Sequence, residues 1–228
     1  MSWLYAKPGA SNGPIIDMLD MLDMRMADMS RAEQVARRWD GLEQRIDSKI
    51  ASVGLDGAAL ERLLTQAIRS GTKAQRIMWL RRAAEAVTEQ ALPLSACRQG
   101  CDHCCHIAVV ITKAEAMQIA AETGCGVHVE AGKPPLEAED ARDATAACWQ
   151  GVPCSFLKEG RCSIYRHRPL ACRLQINMDD DDLLCQLVEG EAIRVPYLNT
   201  TAHHVAAVVA LGMGQPVADI REWFPRGG

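Results

Sequence analysis

Cysteine spacing constrains this chain more than any other feature. Eight of its ten cysteines fall into two runs of four, Cys97-x3-Cys101-x2-Cys104-Cys105 and Cys154-x7-Cys162-x9-Cys172-x12-Cys185. Zinc takes four tetrahedral ligands and binds thiolates well, and iron–sulfur clusters also use four thiolates. The two-residue gap between Cys101 and Cys104 suits a tight turn around one ion. Gly100 lets the backbone bend there so that amide N–H groups point at sulfur. Cys104 and Cys105 are adjacent, and neighbouring side chains on an extended backbone point to opposite sides. They are therefore expected to serve two ions, or else one of them is not a ligand. The metal ligands expected are Cys97, Cys101, Cys104, Cys105, Cys154, Cys162, Cys172 and Cys185.

A disulfide framework is the weaker reading. The first residues show no basic region followed by an apolar run. No stretch reaches the ~18 apolar residues that a membrane helix needs. A cytoplasmic, non-membrane protein is expected, and disulfides are rare in that compartment. Cys125 and Cys148 stand alone and read as small buried hydrophobes.

Charge points the same way. The chain carries a net charge of -4 and a pI of about 5.9, so a nucleic-acid partner is not expected. Yet the cysteine loops gather Arg98, Lys158, Arg161, Arg166, Arg168 and Arg173, and nearby cations favour thiolates. Arg168 and Arg173 are expected to pair with acids or thiolates, or to present an anion-binding face beside the metal, and Tyr165 to pack. His103 and His106 flank the first run, and each is a candidate to replace a cysteine, histidine being a common zinc ligand. His203 and His204 read as ordinary core or surface residues.

Hydrophobic residues make up 48% of the 228, enough for a core without staples. The predicted fold is mainly α: a helical N-terminal region (1–93), an irregular metal-stabilised cysteine-cluster domain (94–190) and a C-terminal helical segment (191–228). Pro14 opens a first amphipathic pattern that continues through Met18, Met21 and Met26 to Ile46. Its methionines read as core packing or as a protein-partner face. A helix is predicted over 57–70, with Leu60, Leu63, Leu64 and Ile68 inward, and another over 72–92, stopped by Pro93. Thr112 and Glu115 form a capping-box pattern before a helix that ends near Gly124. Residues 126–142 read as a solvated loop, with a short helix up to Cys148. Asp179 to Asp182 read as a solvated turn or a helix start. Thr200 or Asn199 caps a helix that ends at Gly212, and Ile220, Trp223 and Phe224 pack inward on a last turn. Together the N-terminal helices and the C-terminal helix are expected to form a bundle.

The cysteine runs come with recognisable neighbours: Pro153-Cys154-Ser155-Phe156-Leu157, Gly160-Arg161-Cys162-Ser163-Ile164-Tyr165 and Arg168-Pro169-Leu170-Ala171-Cys172-Arg173, with Ile111-Thr112-Lys113-Ala114-Glu115-Ala116 after the first run. With the first run, these motifs resemble the YkgJ-type CxxCxxCC cysteine-cluster family over residues 94 to 190. The resemblance implies a zinc- or iron-chelating domain and leaves the metal open. The cluster is also similar to that of flagellin lysine N-methylases, which implies an iron–sulfur centre, although this chain shows no further domain for a methyl donor.

Three roles follow from the sequence. The first is a structural or partner-binding module holding zinc or an iron–sulfur cluster. The second is an iron–sulfur enzyme that modifies a protein side chain or small molecule. The third is a metal carrier or redox sensor. No Ser/His/Asp arrangement and no phosphate-binding glycine loop marks a catalytic residue, so whether a reaction is catalysed stays open.

Overall fold

A computed structural model describes residues 30–53, 56–98, 100–133, 145–186 and 193–226. The methionine-rich pattern from Pro14 to Met29 lies outside the described residues. Residue contacts divide the chain into two units, 1–42 and 43–228.

In the first unit, helix α1 (Arg31–Trp39) opens on a capping box. The Glu33 carboxylate accepts from the Ser30 N–H at 2.9 Å, and the Ser30 hydroxyl accepts from the Glu33 N–H at 3.4 Å. The amphipathic pattern predicted to run on to Ile46 is broken after Trp39. Asp40 turns extended and Gly41 takes a φ of 67°, and α2 (Leu42–Val53) starts a new helix.

The second unit holds the bundle. Helices α3 (Gly57–Arg69) and α4 (Lys73–Ala91) are joined by a short turn. Both pack against α7 (Thr201–Leu211). Their shared core is Leu64, Ala67, Ile77, Leu80, Ala83, Ala84, Ala206, Ala210 and Leu211. So many alanines at the contact let the helix backbones approach closely. Arg76 ties the bundle's end: its guanidinium donates to the Ser70 and Ala210 carbonyls, both at 2.7 Å. These are C-terminal helix carbonyls without intrahelical partners. Ile68, predicted inward, is exposed, and Ala67 is fully buried instead. With Leu60, Leu63 and Leu64 on the inner stripe, the next inward turn falls at 67, three to four residues on.

Thr112 and Glu115 form the predicted capping box of α5 (Lys113–Thr123), and Gly124 ends that helix in a left-handed conformation. The residues before it form β1 (Val110–Thr112), which pairs antiparallel with β4 (Val217–Asp219) in the register Ile111↔Ala218. Helix α8 (Ile220–Trp223) follows directly. Ile220, Trp223 and Phe224 are buried as predicted; the strand before them was not predicted. Between lie the hairpin β2 (Leu157–Lys158) and β3 (Arg161–Cys162) and the short helix α6 (Leu170–Leu174). The hairpin turns on Glu159 and Gly160, with φ of 51° and 69°. Two positive φ values are what a two-residue hairpin turn of the right twist requires. Helix α2 reaches the region after α6. Ile46 and Ile50 pack against Ile176, Met178 and Leu198, and Lys49 Nζ donates to the Met178 carbonyl and pairs with Asp180, both at 2.8 Å.

The chain is therefore mainly α, with irregular segments and short strands around the cysteines. Among the described residues no helix is long and apolar enough to cross a membrane.

Candidate metal centre

Three local devices bring the two cysteine runs together. At Gly100 the φ of 92° turns the chain into Cys101, whose N–H donates to the Arg98 carbonyl at 3.1 Å. His103–His106 then form a tight helical turn that carries Cys104 and Cys105. At its end the Cys105 carbonyl accepts the Cys154 N–H at 2.7 Å. Cys154 leads into the β2–β3 hairpin, where Leu157 stands opposite Cys162. Cys172 sits on α6, which starts at Pro169–Leu170 without a side-chain cap of its own. The buried Glu115 supplies the missing acceptor from α5, taking the Leu170 N–H at 3.1 Å.

The resulting neighbourhoods do not follow the order of the chain. Cys105, Cys154, Cys162 and Cys172 pack into one cluster with Phe156, Ile164 and Trp223. Cys97 packs elsewhere, against Ile176, Met178 and Leu198, and faces Cys185 across Asn177. The Asn177 N–H donates to Cys97 Sγ at 3.3 Å, and its Nδ2 donates to Cys185 Sγ at 3.2 Å. Cys101 is close enough to Cys97, Cys104 and Cys185 for their charges to interact. Grouping 97/101/104/105 apart from 154/162/172/185 thus gives way to an interleaved arrangement. Cys185 joins the first run, Cys105 joins the second, and Cys104 lies between.

Electrostatics reflect this crowding. Burial, together with neighbouring thiols, pushes the Cys97, Cys101, Cys162 and Cys172 thiols above their ordinary value, and Cys185 to about 12. Burial also raises Cys154. The Cys104 and Cys105 thiols hydrogen-bond to each other, which lowers Cys104 to about 7 and raises Cys105 strongly. Arg168 is the cation that favours thiolate at Cys97, Cys104, Cys162 and Cys172. Its guanidinium lies over the Tyr165 ring, 4.2 Å from the centroid.

The neighbouring side chains take varied places. Arg173 pairs with an acid, as expected: Glu85 lies at 2.9 Å. It also donates to the Arg166 and Arg168 carbonyls, so it shapes the loop that carries Arg168. Tyr165 is 53% exposed rather than packed, because it serves as a platform for Arg168. Asp179 is fully buried, not part of a solvated turn. Asp182 accepts from His103 Nε2 at 3.0 Å and pairs with Arg98 at 3.5 Å. The His103 bond holds its carboxyl below the usual range. His106 Nδ1 lies 3.1 Å from the Asp102 carbonyl. Cys125 and Cys148 are exposed, not buried hydrophobes. His203 is buried and His204 exposed.

Three residues essential to the arrangement gave no motif in the sequence. Asn177 is one. The others are Asp219 and Arg221, both buried and paired at 2.9 Å. Arg221 Nη2 donates to the carbonyls of Cys105 (3.0 Å), Ile107 (3.0 Å) and Val152 (2.7 Å). Asp219 accepts the Val109 N–H at 2.7 Å. Arg226 donates to the Cys154 carbonyl at 2.8 Å. The available signal was three charges, Asp219, Arg221 and Glu222, set inside the otherwise apolar run from Val217 to Phe224.

Chemically, the donor set is eight thiols, several of them accepting from N–H donors, with the charges of Arg168 and Arg221 favouring thiolate. That matches soft-thiolate coordination of zinc or iron. As placed, no three His, Cys, Asp or Glu among the described residues stand close enough to hold one ion. Holding a metal there would require the thiols to give up their protons. No curated protein and no solved structure matches the chain. Residues 96–191, which span all eight clustered cysteines, match the model of the CxxCxxCC family, described as "Putative zinc- or iron-chelating domain".

Proposed function

We propose that the protein is a metal-binding module in which eight thiolates form two neighbouring sites. Cys97, Cys101, Cys104 and Cys185 hold one, and Cys105, Cys154, Cys162 and Cys172 hold the other. The observation that carries this reading is the interleaving of the two runs. Cys105, Cys154, Cys162 and Cys172 share one packed cluster, Asn177 joins Cys97 to Cys185, and Cys104 is near enough to both sets to interact with each.

The role proposed is structural. The cysteines ride on tight turns, a two-residue hairpin and a five-residue helix. Such segments have little hydrogen-bonded structure of their own. Bound metal supplies folding free energy directly, as in other small thiolate domains. Zinc and an iron–sulfur cluster both suit four thiolates.

The test is to purify the full chain without oxygen and to measure zinc, iron and acid-labile sulfide on one sample. Stoichiometric zinc without sulfide, or iron with matched sulfide, supports the reading and names the metal. A folded protein holding neither overturns it.

A further inference from the structure

Each proposed site has one residue other than cysteine that holds two of its ligand-bearing segments together. For the first site it is Asn177, only 1% exposed. Its backbone N–H donates to Cys97 Sγ and its side-chain amide to Cys185 Sγ. Cys97 and Cys185, 88 positions apart in sequence, thus meet across a single residue that lies 80 positions from the first and 8 from the second. The segment is held on both sides. The Ala96 N–H donates to the Asn177 carbonyl at 2.9 Å. Asn177 also bridges to Tyr197, and the Met178 N–H donates to the Pro196 carbonyl at 2.9 Å. The amide oxygen accepts the Asp179 N–H at 2.9 Å, which fixes the side chain with its nitrogen toward sulfur.

For the second site it is Arg221. Its guanidinium joins the Cys105–Ile107 backbone to Val152, two residues before Cys154. Asp219 holds the guanidinium through both carboxylate oxygens, at 2.9 and 3.1 Å. Neither Asp219 nor Arg221 lies in the segment that matches the family model.

We infer that Asn177 and Arg221 are separate positioning residues, one for each site, so that the two sites can be emptied independently. Asn177 sets the spacing of Cys97 and Cys185 and stabilises their thiolates with two N–H donors. Arg221 sets the spacing of Cys105 and Cys154 through their backbones. Residues around metal ligands commonly change affinity by about 10–100-fold when altered. This inference rests on the two-site reading above.

The experiment compares the full-length protein with Asn177→Asp and Arg221→Lys. Both variants keep side-chain volume and are checked for folding by circular dichroism. Each is treated with iodoacetamide during a graded chelator challenge, and the alkylated cysteines are mapped by mass spectrometry. Asn177→Asp puts a carboxylate against Cys185 Sγ. Its chelator midpoint is expected to fall about 10–100-fold, with early labelling of Cys97, Cys101, Cys104 and Cys185 only. Arg221→Lys cannot reach three carbonyls at once. Early labelling is expected at Cys105, Cys154, Cys162 and Cys172 only. If either variant opens all eight cysteines together, or neither moves any, the inference fails. If one variant does not fold, Asn177→Ser or Arg221→Gln replaces it and is read by the same criterion. If the unaltered protein shows no metal-protected cysteine at all, the two-site reading itself fails, a distinguishable result.

Discussion

The Cys154 N–H donates to the Cys105 carbonyl at 2.7 Å. That one bond joins cysteines from two runs separated by a helix and a loop. It places Cys154 beside the tight turn of the first run rather than beside Cys185. The cysteine set inherits this asymmetry. Replacing Cys105, Cys154, Cys162 or Cys172 by serine is expected to remove about one ion per chain while the other site stays filled. Cys125→Ser and Cys148→Ser, at exposed positions, are expected to keep the full metal content. Elemental analysis of the purified variants checks both.

Glu115 closes the ends of two helices at once. One carboxylate oxygen accepts from Thr112, and the other takes the Leu170 N–H that opens the helix bearing Cys172. Glu115→Ala leaves buried donors at both ends. The loss expected is about 2–3 kcal/mol, a cap bond plus an unsatisfied buried group. Urea denaturation of the metal-loaded protein measures it, and Glu115→Gln, which keeps an acceptor, is expected to lose less.

Asp219 balances a buried cation. In Asp219→Ala the Arg221 guanidinium keeps its three carbonyls but loses its counter-ion in a site closed to water. Breaking one side of a buried pair costs about 3–5 kcal/mol. Asp219→Ala, Arg221→Leu together is expected to be less destabilised than Asp219→Ala alone, because no uncompensated charge is left buried. Thermal melts of the two variants settle the order.

His203 gives the bundle a pH dependence. Burial lowers its pKa below the ordinary 6.5, against a backbone hydrogen bond to Ala83 that raises it, with His204 lowering it further. Its Nε2 has no hydrogen-bond partner among the described residues. The folded state therefore favours the neutral ring, while the unfolded chain protonates near 6.5. Below that value the unfolded state binds more protons, so this contribution is present above about pH 6.5 and is lost as pH falls toward the folded value. Replacing His203 with Gln is expected to flatten the fall in stability between pH 7 and 5, measured by urea midpoints across that range.

Local signals were read correctly where they decide the outcome alone. The Thr112–Glu115 capping box, Gly124 and Gly212 at helix ends, and the inward Ile220, Trp223 and Phe224 all appear as the sequence predicts. Cys104 and Cys105 were expected on opposite sides of an extended backbone, but they sit on a tight helical turn and their thiols interact with each other. What could not be read is which distant segments meet. Cys185 lies near Cys97 because Asn177 and residues 196–198 hold the 176–178 segment against Ala96. Spacing along the chain carries no trace of that. Asp179 looked solvated because it sits in a run of four acids, yet tertiary packing buries it. Arg221 gave no signal of its own, since its three carbonyl partners lie 69 to 116 positions away.

The most direct test of the central claim is X-ray absorption at the edge of whichever metal copurifies with the full-length protein. Thiolate ligation by the eight cysteines predicts a first shell of about four sulfurs per metal, at about 2.3 Å for zinc, with no major nitrogen or oxygen component. A shell dominated by nitrogen or oxygen would contradict it, because the metal would then sit elsewhere than among these cysteines.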